Sequence, residues 1–167
     1  EFEKVVLAEK PDLVVVFGNV GLDWHQHNED GRVRKYNACF VAENGRFIPP
    51  ANGLDYPFVI KTLLPNYREF DDSRHFYDLR KLALQLGRPP AELIAPVVTA
   101  QLRLGCVLCE DAWDRDYALS PLRELAARDV DLFINVSCSP YTQNKNHKRN
   151  RVFAAAAATL RRPLAYV

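Results

Sequence analysis

Cys106 and Cys109 stand in C-x-x-C spacing, the pattern of a redox pair or of half a zinc site. The run that carries them, LGCVLC, reads as a strand, and side chains three apart on a strand point to opposite faces. A shared metal is therefore disfavoured. No second cysteine pair at zinc spacing exists, and His25, His27, His75 and His147 are scattered, so no metal site is expected. Cys109 differs from the other cysteines by position: it closes an apolar strand and is followed at once by Glu110 and Asp111, where the chain leaves the sheet. Ligands of open α/β sheets bind at the C-terminal ends of strands. A thiol there becomes a nucleophile only with a cation or base beside it, because its free pKa is about 8.5. Lys61 ends another apolar run, Phe58, Val59 and Ile60, and supplies such a cation if the two strands are neighbours; the alternative is a strand simply running out into solvent.

The elements that must hold these residues follow from hydrophobic period and turn chemistry. Residues 1–10 read as the tail of a helix stopped by Pro11, and residues 12–18 (DLVVVFG) as a strand buried on both faces. Residues 23–34 are a polar stretch containing Trp24, His25 and His27. A strand over 36–42 then meets Asn44 and Gly45, a pair suited to the two positive-φ positions of a tight hairpin, before 46–48. Residues 61–77 are too rich in Pro and Asp for regular structure. Residues 78–87 place Leu79, Leu82, Ala83 and Leu86 on one helical face ended by Gly87. Strands are expected at 93–98, 101–104 and 105–109, a helix from the Ser120 cap and Pro121 to Arg128, a buried strand at 131–136, a long helix over 143–162, and a last strand at the end. Helices alternating with strands, plus one hairpin, indicate α/β layers with mixed sheets.

Composition excludes several classes. With 167 residues, 48% apolar and 26% charged, the chain has the make-up of one soluble domain, not of a disordered or collagenous segment. Its net charge of +1 gives no reason to expect a nucleic acid or an anionic membrane as partner. Four cysteines without a disulfide-rich frame fit a reducing, cytoplasmic setting. The stretch after Phe17 lacks the G-x-G-x-x-G fingerprint of a dinucleotide site, and no Gly-rich phosphate loop is present. The chain opens without Met and closes on an apolar run, and both ends read as cuts through a larger protein.

Three blocks carry a resemblance. Residues 61–76 (KTLLPNYREFDDSRHF), 105–113 (GCVLCEDAW) and 135–141 (NVSCSPY), the last with Lys145 and Arg149, resemble the nitrilase (carbon-nitrogen hydrolase) superfamily, and most closely the glutaminase domain of glutamine-dependent NAD+ synthetases. The resemblance implies an α-β-β-α sandwich with mixed sheets, incomplete at both ends, spanning residues 1–167. It also implies a Glu-Lys-Cys triad with Cys109 as nucleophile and Lys61 stabilising the oxyanion together with the backbone N–H of Glu110. The family's general-base Glu lies on a strand before the one matched by 12–18, and Glu1, Glu3 and Glu9 are not assigned to it. Tyr67, Asp72, Glu110, Ser139 and Arg149 fall at substrate-binding or site-shaping positions. Asp72 replaces the family's usual Glu, and Arg149 has a plain alternative as a solvated helix residue beside Lys148 and Arg151.

The implied activity is hydrolysis of the glutamine side-chain amide through a Cys109 thioester. The ammonia would feed a C-terminal synthetase domain, the only place where ATP and Mg are expected. A homo-oligomer and no turnover by the 167 residues alone are also implied. A stand-alone amidase on another substrate and a non-catalytic copy are the rival readings.

Overall fold

The computed structural model describes residues 13–67, 70–139 and 142–167. The expected helix over 1–10, with Glu1, Glu3 and Glu9, lies outside them. Two four-stranded sheets carry the chain. In the first, β1 (Val14–His27) and β2 (Val33–Glu43) run antiparallel, with Val16 opposite Val41 and Phe17 opposite Phe40. Asn44 (φ 51°) and Gly45 (φ 73°) turn the chain into β3 (Arg46–Phe47), as their types require, and β4 (Val59–Ile60) pairs antiparallel with β2.

Helices α1 (Asp72–His75), α2 (Leu79–Gln85) and α3 (Pro90–Leu93) lead to the second sheet. There β5 (Val97–Val98) runs antiparallel to β6 (Arg103–Leu108), while β7 (Leu132–Val136) and β8 (Leu164–Tyr166) continue parallel to β6. Helix α4 (Pro121–Ala126) and α5 (Lys145–Leu160) cover its outer face.

Alternation along the strands builds the layers. Cys39 and Val41 of β2 meet Leu104, Cys106 and Leu108 of β6 and Ile134 of β7 in the seam between the sheets. The approach is close enough that a Cβ on Gly18 would stand 3.0 Å from Val136. Cys39 and Cys106 interact within this seam, and that hydrogen bond together with burial pushes the Cys106 thiol up. On the outer face of the first sheet, Phe17 stacks on Phe40 at 5.4 Å and Tyr36 packs on Phe58, beside Arg34, which donates to Gln85 of α2. On the far side, Phe153 of α5 packs on Trp113 and Tyr166. The order is helix, sheet, sheet, helix, the sandwich expected.

Several local expectations change. β1 is not buried on both faces: Val14 to Phe17 are half-buried and Gly18 to Val20 exposed, because β1 pairs only with β2 among the described residues and so forms a sheet edge. It also runs on through residues 23–27, which polarity marked as loop; Trp24 is 68% exposed there. Residues 72–75 form a helical turn inside the segment read as irregular. Leu93 belongs to α3, and the two strands expected over 101–109 are one, β6 (Arg103–Leu108), because Thr99 to Leu102 form a turn closed by the Thr99 N–H on the Leu102 carbonyl at 2.9 Å. Leu86 is exposed past the end of α2, and α4 ends at Ala126, two residues before Arg128.

Candidate active site

Parallel β6 and β7 present the nucleophile candidate. The first residue past β6, Cys109, has φ 45°, a left-handed conformation that costs a non-glycine residue about 1 kcal/mol or more and turns its side chain out of the sheet. Two contacts hold that turn. The Cys109 N–H donates to Asn135 Oδ1 on β7 at 2.9 Å, and the Leu108 N–H donates to Asp111 at 3.2 Å. Cys109 is partly exposed, with its Sγ 3.7 Å from Ser139 Oγ.

Lys61 arrives from the other sheet. It follows β4, where its N–H donates to the Asn37 carbonyl at 2.9 Å. The side chain is 3% exposed, and Nζ donates to Asp72 Oδ2 at 2.7 Å. Losing one partner of a buried ion pair leaves an uncompensated charge, so Asp72 fixes where the ammonium sits. Lys61, Asp72 and Cys109 line one cleft of about 370 Å³ with Asn37, Phe70 and Ser137. The two residues therefore share one cleft, but not from neighbouring strands of one sheet: β4 and β6 belong to opposing sheets.

A second cleft, of about 540 Å³, adjoins at Cys109 and Phe70 and is lined by Tyr67, Glu110, Trp113, Ser139 and Lys145. Glu110, 6% exposed, accepts from the hydroxyls of Tyr67 at 3.0 Å and Tyr117 at 2.9 Å. Burial, then the Glu110 carboxylate, hold the Tyr117 phenol above its ordinary range, so it stays a donor. Asp111 is buried between the arms; burial pushes its carboxyl up to about 7, against the lowering effect of the Leu63 and Leu108 N–H groups and of Lys61.

Of the residues singled out from sequence, Cys109, Lys61, Tyr67, Asp72, Glu110 and Ser139 line these two clefts. Arg149 lines neither: it donates to Asn146 at 2.9 Å and lies 4.8 Å from the Tyr166 ring centroid. Its place in α5 turns the guanidinium toward β8, while Lys145 and Lys148 face the cleft. Tyr141 lies outside the described residues. Asp111, Asn135 and Tyr117 were not singled out, since they act by accepting backbone N–H groups or by donating to Glu110, and neither leaves a spacing signature. Among the described residues no group of three or more His, Cys, Asp or Glu is placed to hold a metal, and no helix is long and apolar enough to cross a membrane.

No protein-family model matches the chain. Its curated relatives are glutamine-dependent NAD+ synthetases. That of Synechocystis sp. is 27% identical over 96% of this chain and 27% of its own length. Among solved structures, the glutamine-dependent NAD+ synthetase of Acinetobacter baumannii in complex with ADP superposes with a TM-score of 0.67 at 26% identity, over 96% of this chain and 25% of that one. A carbon-nitrogen hydrolase of Helicobacter pylori G27 shares the fold at TM-score 0.63 and 17% identity, over 99% of this chain and 48% of that one. The chain thus spans about a quarter of the length of the synthetases it matches.

Proposed function

We propose that this chain is the glutaminase part of a glutamine-dependent NAD+ synthetase. The observation that carries the reading is a cysteine held on a left-handed turn, in the same cleft as a buried lysine fixed by Asp72. The relatedness to synthetases supports the choice of substrate.

In this reading the Cys109 thiolate attacks the side-chain carbonyl carbon of glutamine. The oxyanion that forms is stabilised by the Lys61 ammonium, with the backbone N–H of Glu110 as second donor. The leaving amine takes a proton and departs as ammonia, leaving a Cys109 thioester, which water cleaves to glutamate and free thiol. The proton is handled by a general-base Glu that the family resemblance puts on a strand before the one matched by residues 12–18, and none of Glu1, Glu3 and Glu9 is assigned to it. Tyr67, Glu110 and Ser139 line the cleft beside the thiol, where the rest of the substrate would lie. The ammonia would pass to a synthetase domain outside these residues, which would hold ATP and Mg. A cytoplasmic homo-oligomer belongs to the same reading.

In full-length protein, Cys109→Ala should lower glutamate release by about 10⁴-fold or more while NAD+ synthesis from free ammonia continues. Loss of both activities would make Cys109 structural; retention of both would refute it as nucleophile. Faster turnover of another member of an amide panel would favour a stand-alone amidase instead.

A further inference from the structure

We propose that Asp111 is a positioning residue whose carboxylate clamps the backbone bearing Lys61 to the backbone bearing Cys109. This rests on the reading of Cys109 as nucleophile and Lys61 as its cation. Oδ1 of Asp111 accepts from the N–H groups of Leu63 at 2.7 Å and Thr62 at 3.0 Å, and Oδ2 accepts from the N–H of Leu108 at 3.2 Å. Thr62 follows the lysine and Leu108 precedes the cysteine. β4 and β6 share no ladder, because they lie in different sheets, so this carboxylate spans a gap that no backbone pairing closes.

The chemistry of the group fits the task. A carboxylate offers acceptors on both oxygens, whereas the isosteric amide of Asn offers one and would turn an NH₂ donor toward a remaining N–H. Capping the local turn would need only the contact to Leu108. The reach to Thr62 and Leu63 crosses 49 and 48 residues of sequence and serves the lysine arm. Asp111 is 2% exposed, an environment that disfavours a charged group, and its carboxyl is accordingly pushed up to about 7.

The test is the pH profile of Cys109 alkylation by iodoacetamide in full-length protein, read at that residue by peptide mass spectrometry. In folded Asp111→Asn the ammonium loses its place in the cleft beside the thiol, so Cys109 alkylation at pH 7 should slow about tenfold, while that of exposed Cys138 is unchanged. Asp111→Glu, which keeps the charge, should recover part of the loss. An unchanged Cys109 profile in folded Asp111→Asn would overturn the proposal, as would a wild-type Cys109 alkylated no faster than Cys138. If Asp111→Asn does not fold, the same profile on Asp111→Glu decides, and failure of both to fold would make Asp111 a folding residue and overturn the clamp. Selective alkylation in wild-type protein without glutamine hydrolysis would refute the substrate reading and leave the clamp standing.

Discussion

Cys109 follows a six-residue strand bonded on both edges, to β5 and to β7, whereas Lys61 follows a two-residue strand attached to β2. The difference separates two kinds of positioning. The cysteine is placed chiefly by a buried sheet whose packing also keeps the domain folded, with the Asn135 and Asp111 side chains fixing its turn. The lysine is placed by side chains, Asp72 on its ammonium and Asp111 on its backbone neighbours. Damage beneath the first arm should therefore register as lost stability, and damage to the second as lost function.

The largest effect should come from the sheet. Phe133 on β7 is fully buried, and Phe133→Ala should cost about 3–5 kcal/mol in urea unfolding. Phe17 on the exposed edge strand is half-buried, and Phe17→Ala should cost only roughly 1–2 kcal/mol. Equal costs would erase the contrast between the sheets. Lys61→Met comes next: removing an oxyanion donor should reduce the glutamine hydrolysis rate by about 10²–10³-fold, with a smaller shift in unfolding midpoint than Phe133→Ala. A rate within a factor of a few of wild type would dismiss the lysine arm.

A pH-dependent effect, small within any one unit, sharpens the role of Asp111. Its carboxyl is raised in the folded state, so between about pH 4 and about pH 7 the native protein binds more protons than the unfolded chain. Stability should fall as pH rises through that window, by up to about 1.4 kcal/mol per unit from this group. Comparing wild type with Asp111→Asn isolates that slope, and identical slopes would show that the carboxyl titrates normally.

The two arms were unequally legible. Cys109 and Lys61 could be read because each closes an apolar run, and the hairpin because Asn44 and Gly45 both take positive φ. Their convergence on one cleft from opposite sheets could not be read, since short β4 carries no sign of its partner. Nor could the length of β1: Asp23 and its neighbours look like loop, yet Asp23 is nearly buried and accepts from the Tyr56 hydroxyl at 2.6 Å, a contact made 33 residues away. Arg149 was singled out by motif position, which does not specify the helix face it occupies.

Cys39 and Cys106 give the seam between the sheets a use beyond packing. Both are buried free thiols, while Cys109 and Cys138 are open to solvent to different degrees. A thiol reagent reaches the hidden pair only when the sheets part. The rate at which those two sulfurs become labelled is therefore a clock on sheet separation, and its ratio to the rate of an open thiol gives the free energy of that opening.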